Sequence, residues 1–261
     1  MSRFIDKLKL VARSASQPIG FQTARSASSQ PPMLLIAGLP RATTVTDLTG
    51  YLSSVDAVLL SLPKTASGIK ALSQLNQSFP DSPWGGWRKD HGEKEIERLT
   101  AAGCDFLVIP ASSTIAVTGQ NAETGMILQV ESSLSEGLLR AVNELPVDAV
   151  LVTATDDEET ALTWHHLMLF QRLANILTKP LLASVPANIT ATEVQVIWEA
   201  GVHGIVVTTT EQSLSRLKEL RQATDNLKRL PRKKRGEVEA IIPSISGDTG
   251  TVEEDVEEEG E

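Results

Sequence analysis

The stretch Glu199–Thr210, EAGVHGIVVTTT, decides the fold, because the chain repeats it in altered form three more times: TAAGCDFLVIP at 100–110, NELPVDAVLVT at 143–153 and SSVDAVLLS at 53–61. In each copy a helical pattern stops at a turn carrying Gly, Pro or Ser. One polar residue follows (His203, Asp105, Asp148 or Asp56), and an apolar run rich in β-branched residues begins. A helix closed by a turn and followed at once by a buried strand is the joint of a repeating βα protein.

Outward from these joints, the apolar runs predict strands at 33–38, 57–62, 84–88, 106–110, 126–131, 149–154, 181–185 and 204–209. Helical periodicity fills most gaps, at 44–54, 66–78, 93–102, 134–144, 158–177, 190–200 and 211–227; the polar segment 111–124 has room for one turn or none. The even strands follow the polar joint and the odd ones follow Pro or Gly, so the repeat is a double βα unit of about 42 to 55 residues. Eight parallel strands in so short a chain close most economically into a (βα)8 TIM barrel. A doubly wound open sheet would carry a glycine-rich first turn, and LPRATTVTD at 39–47 has no glycine.

The joints AAGCDFLVIP and EAGVHGIVV resemble those of the aldolase-type, phosphate-binding (βα)8 barrels, over roughly residues 33–227. The resemblance implies the fold and a ligand site at the C-terminal ends of the strands, with phosphate held after strands seven and eight. The turns there, SVPANIT at 184–190 and TTTEQS at 208–213, carry no glycine, a departure from the family's phosphate turns.

Ahead of the barrel, residues 2–12 (SRFIDKLKLVA) put Phe4, Ile5, Leu8 and Val11 on one helical face, with Arg3, Lys7 and Lys9 towards the other. Two readings follow: a membrane-surface anchor, or a helix laid across the bottom of the barrel. The expected organisation is a helix and Ser/Gln/Pro-rich linker over 1–32, the barrel over 33–230, and over 231–261 a basic cluster (Arg232, Lys233, Lys234, Arg235) leading into a disordered acidic tail.

Charge is uneven along the chain: residues 1–25 carry five Lys/Arg against one Asp, 237–261 carry ten acidic residues and no basic one, and the whole has a formal net charge of −9. An acidic core repels phosphate backbones, so nucleic acid is not expected as its partner. The single cysteine, Cys104, precludes an internal disulfide and fits a cytoplasmic protein. No apolar run has the length of a transmembrane segment.

In a barrel, reacting groups sit at the C-terminal ends of strands, and residues at strand starts serve stability. That assigns Asp56, Asp105, Asp148 and His203 to turns and caps. It also selects the candidate site: Glu131, Lys89 and His91 as catalytic residues, with Lys64, Arg88, Gln129, Thr153, Thr155, Ser184 and Thr208 as ligand-binding ones. Glu131 would act as general acid or base, and Lys89 has the chemistry for a Schiff base. Structural alternatives stand beside these roles: Asp90 and His91 as a helix cap, and Glu131 in an ion pair with Arg88 or Lys89. Gly85 and Gly86 would let a ligand or a side chain approach the backbone.

No metal site is expected, since Asp90, His91 and Glu131 form no tight ligand motif and the adjacent His165 and His166 lie about 100° apart on a helix. The cofactor is unknown, because barrels bind flavin or nicotinamide without a linear fingerprint. The functional expectation is a binder or converter of a small anionic metabolite, phosphorylated or carboxylated, of lyase or isomerase type. The alternative is a non-catalytic barrel acting as a scaffold or protein-interaction module. The helix expected at 158–177, the sixth of the barrel, carries more apolar residues than one face can bury, which predicts a homodimer contact or cover by the N-terminal segment.

Overall fold

In the computed structural model the described residues are 2–15, 31–39, 50–62, 66–88, 93–113, 123–153, 161–208 and 216–228. Met1–Lys228 forms one compact unit and Arg229–Glu261 a second, which lies outside the described residues, as do the basic cluster and acidic tail. Eight parallel strands close into a barrel in sequence order: β1 (Leu34–Leu39), β2 (Ala57–Ser61), β3 (Trp84–Trp87), β4 (Phe106–Pro110), β5 (Gly125–Val130), β6 (Ala149–Thr153), β7 (Leu181–Val185) and β8 (Gly204–Thr208). Closure is made by β1 on β8, from Leu34 opposite Gly204 to Gly38 opposite Thr208.

The described α-helices are α1 (Arg3–Ala15), α2 (Ala66–Ser78), α3 (Glu93–Ala101), α4 (Glu136–Val142), α5 (Trp164–Ile176), α6 (Ala191–Glu199) and α7 (Arg216–Asp225). Caps set several starts. Thr163 and His166 form a capping box on α5, so that helix begins at Trp164 rather than at 158, and Thr190 with Glu193 does the same for α6. Of the helix expected at 44–54, the described part is a single 3-10 turn at Leu52–Ser54, and residues 44–49 lie outside the described residues, like most of 111–124.

The repeated joint has a physical basis. Gly103 and Gly201 adopt φ of +90° and +95°, and the amides of Cys104 and Val202 reach back to the carbonyls of Leu99 and Ile197, which ends α3 and α6 with a left-handed residue that glycine takes without strain. The polar residue then clamps the preceding strand. The amides of Asp56, Asp148 and His203 donate to the carbonyls of Leu35, Met126 and Leu181, at 2.8 Å each. Their side chains accept from the amides of the same three residues, at 3.0, 3.0 and 3.1 Å. Asp105 keeps only the backbone half, donating to Trp84 O, because its carboxylate is turned to α1.

That difference installs the N-terminal helix. Asp105 accepts from Ser2 Oγ and from the amides of Arg3 and Phe4 at 2.8–2.9 Å, so it caps the helix from 101 to 103 residues away. Phe4, Ile5, Leu8 and Val11 are buried in one cluster with the barrel-interior residues Leu34, Ile36, Leu59, Phe106, Val108, Ile127, Leu151, Leu182 and Val206. The helix thus closes the bottom of the barrel with its apolar face. The membrane-anchor reading would need the same four side chains, and they are already in the core.

Candidate functional site

Strand parity builds the mouth. The interior cluster fixes which residues point inward, and one step further along each strand the same parity reaches Gly38, Ser61, Trp87, Pro110, Gln129, Thr153, Ser184 and Thr208. The ring is therefore mostly small and hydroxylic, with one indole and one amide. Thr153 lies beside Ser184 in register, and Pro110 beside Gln129.

One hydrogen-bonded chain crosses this ring. Trp87 Nε1 donates to Gln129 Oε1 at 2.6 Å, and Gln129 Nε2 donates to Thr153 Oγ1 at 2.9 Å. An indole only donates, so it fixes the amide with its oxygen towards Trp87 and its NH2 towards Thr153. The chain consequently runs one way, and no acceptor for the Thr153 hydroxyl proton is found among the described residues.

The charged candidates are distributed differently from the sequence expectation. Arg88 follows the inward Trp87 and so turns outward, where its guanidinium pairs with Glu95 of α3 and its Nε is buried without a hydrogen-bond partner. The Arg88–Glu131 pair does not form. Glu131 stands one residue past β5, exposed, with Ser133 Oγ at 3.4 Å. Gln129, Thr153, Ser184 and Thr208 are brought together at the mouth, whereas Lys64, Lys89, His91 and Thr155 lie outside the described residues, as does Asp90. Gly85 and Gly86 make room for side chains: a Cβ on Gly85 would meet Phe106 at 2.2 Å inside the barrel, and one on Gly86 would meet Leu62 at 2.7 Å outside it.

Two site residues escaped the sequence reading. Trp87 was legible from the alternation that begins at Gly85. Arg216, the first residue of α7, carried no such signal, since its role depends on a neighbour 27 positions away. It donates to Ile189 O at 3.3 Å in the loop after β7, and its Nε is buried without a partner. That places a cation where the β7 and β8 ends meet at the rim.

Among the described residues no three His, Cys, Asp or Glu side chains group as metal ligands. His166 serves the α5 cap with Nδ1 3.1 Å from the Thr163 amide. His203 and Cys104 belong to the opposite end. Burial lowers the His203 pKa, opposed in part by the backbone of Leu181, and burial pushes the Cys104 thiol up to about 12. No described helix is long and apolar enough to cross a membrane.

A closed, sequentially ordered barrel with its polar ring at the strand C-termini makes this a (βα)8 barrel. No protein-family model matches the chain, and no curated protein does. Solved structures do match: the tryptophan synthase A-subunit of Pyrococcus furiosus superimposes with a TM-score of 0.58 at 10% identity, covering 74% of this chain and 98% of that one. A protein of Aquifex aeolicus VF5 gives a TM-score of 0.60 at 11% identity, over 86% and 99% of the two chains. At such identities the likeness is one of fold.

Proposed function

We propose that the mouth of this barrel binds a small anionic metabolite, carboxylated or phosphorylated, and that the protein acts on it in a lyase- or isomerase-type reaction. The observation that carries the reading is the one-way chain from Trp87 through Gln129 to Thr153. Its last hydroxyl offers a proton to an acceptor atom in the mouth, which is what a carboxylate, phosphate or carbonyl oxygen supplies. Arg216 adds positive charge on the same rim. Glu131 is the exposed carboxylate available for proton transfer, with Lys89 and His91 as the further acid–base or Schiff-base candidates, and Lys64 and Thr155 as ligand contacts. The single thiol is buried and free, in keeping with a cytoplasmic setting.

The test is a thermal-shift and calorimetric screen of sugar phosphates, 2-oxo acids and dicarboxylates, followed by Thr153→Val. The expected result is at least one ligand whose affinity falls by about tenfold in T153V while the melting temperature without ligand is kept. If every ligand binds T153V and the parent alike, the mouth assignment fails. Borohydride reduction in the presence of 2-oxo acids tests Lys89: an imine formed with loss of water becomes a stable amine of defined mass.

A second reading, the interaction module, is favoured by α5. Trp164 is 80% exposed and Met168, one turn on, 64% exposed, while Leu169, Phe170 and Leu173 of the same helix are buried. A second copy of the chain is the partner this reading assigns to that face. Sedimentation of the parent and of Trp164→Glu tests it; a monomer at every concentration rejects it.

A further inference from the structure

The face of the barrel opposite the mouth carries a groove of about 450 Å³, lined by Lys9, Ala12, Arg13, Val147, Asp148, Thr178, Lys179 and Pro180. Its volume is in the range of small-molecule sites. Lys9 and Arg13 come from one side of α1, since residues four apart share a helical face. Asp148 and Lys179 come from the segments just before β6 and β7. The lining thus has three positive groups against one negative group, Asp148.

The arrangement is built rather than scattered. Lys9 Nζ donates to Asp148 Oδ1 at 2.7 Å, and the other oxygen of Asp148 accepts from the Met126 amide. Lys179 Nζ donates to Val147 O at 2.8 Å and to Leu145 O at 3.0 Å. Two ammonium groups are therefore tied to the neighbouring residues 147 and 148. Each ammonium has three N–H donors, and the described residues take one of Lys9 and two of Lys179. Lys179 is half-buried, and its charge is met by carbonyl dipoles with no carboxylate partner among the described residues. A partly desolvated cation without a counter-ion is a standing demand for an anion.

We infer that this groove binds a small phosphate-type dianion, free or as a soluble monoester, held by Lys9 and Lys179 with the Thr178 hydroxyl alongside. Such an ion would bridge α1 to the starts of β6 and β7, making the plug helix and the barrel one effector-sensitive unit. The site is independent of the mouth. A membrane phosphate is a poorer occupant: the apolar side chains of α1 are in the barrel, and Leu10 is the one large apolar side chain that α1 exposes among its described residues.

The experiment titrates inorganic phosphate into the full-length protein at fixed ionic strength, against chloride, following backbone amide shifts by NMR and the melting temperature. Saturable shifts at Val147, Asp148 and Thr178 are expected, with a rise in melting temperature that chloride does not give. Lys179→Met and Lys9→Met should each weaken binding by about tenfold, and Arg216→Gln, which alters the mouth, should leave it unchanged. Should Lys179→Met fail to fold, Lys9→Met and the exposed Thr178→Val decide the matter. The proposal is overturned if chloride reproduces the shifts, if phosphate binding survives Lys9→Met but not Arg216→Gln, or if phosphatidylglycerol vesicles take up the protein and inorganic phosphate does not compete.

Discussion

Replacing Phe4 by alanine tests whether α1 is part of the barrel core or an accessory to it. The Phe4 ring is fully buried, its centroid 4.5 Å from that of Phe106 at an interplanar angle of 30°. Truncating a buried Phe to Ala costs about 3–5 kcal/mol, of which the paired-ring geometry supplies about 0.5–1.5 kcal/mol beyond the area buried. That loss is a large fraction of the 5–15 kcal/mol that holds an ordinary domain together. Urea unfolding followed by circular dichroism should register it as a lower midpoint. Hydrogen exchange then says where the loss falls: the amides of Leu8 and Val11 should lose protection first, since Ile5, Leu8 and Val11 retain only about 1.5–3 kcal/mol of burial apiece to hold the helix down. Phe4→Leu, which keeps most of the volume, should recover the greater part. If F4A lies within about 1 kcal/mol of the parent and α1 stays protected, the helix is not seated as a core element and this account of the barrel bottom is wrong.

Gly85→Ala would drive a methyl into the Phe106 ring, so a loss of about 1–3 kcal/mol is expected in the same denaturation assay, and an unchanged midpoint would show that Phe106 has room to move. Cys104 should resist thiol reagents at neutral pH until the protein unfolds, because its buried thiol is pushed up to about 12; labelling in the native state at the rate of a free thiol would contradict this. His203 is neutral in the folded protein, with Nδ1 accepting from the Leu181 amide, and burial holds its pKa below the unfolded value of about 6.5. Its contribution is therefore complete above about pH 6.5 and is lost as pH falls through the folded value, because the unfolded chain then binds the extra proton. His203→Asn keeps an acceptor and removes the titration, so the stability difference between pH 5 and pH 8 should be smaller in H203N than in the parent; equal differences would refute the assignment.

The fold was legible because its signals are local. Each apolar run is bounded within a few residues by the turn and the polar joint that create it, and the strand boundaries expected from 33–38 to 204–209 match those observed to within a residue or so. Inward and outward faces followed from alternation alone, which placed Gln129, Thr153, Ser184 and Thr208 at the mouth. Alternation also turns Arg88 outward, and its partner Glu95 could be found only by knowing that α3 packs behind β3. Arg216 was illegible for the same reason: a helix-initial arginine looks ordinary until the loop holding Ile189 is folded beside it. The start of α5 was misjudged because a capping box made by Thr163 and His166 outcompetes the helical periodicity upstream.

The four polar joints show how one local device comes to serve a tertiary purpose. Asp56, Asp148 and His203 each satisfy both hydrogen-bonding groups of the first or second residue of the neighbouring strand, and a histidine does this as well as a carboxylate because the geometry asks only for an acceptor. Where charge is useful it has been added on top: Asp56 also receives Arg221 at 2.7 Å, and Asp148 receives Lys9. Asp105 alone gives up the strand amide, and the carboxylate so released caps α1 while Phe106, the next residue, stacks on Phe4. Gly125 completes the arrangement, since a Cβ there would strike Ile5 at 2.3 Å and Ser2 Oγ at 2.9 Å. Three residues that are unremarkable in the sequence, an aspartate, a phenylalanine and a glycine at adjacent strand starts, therefore form the seat of the N-terminal helix. The barrel bottom is shaped to receive that helix, and the same helix carries Lys9 and Arg13 to the edge of the basal groove.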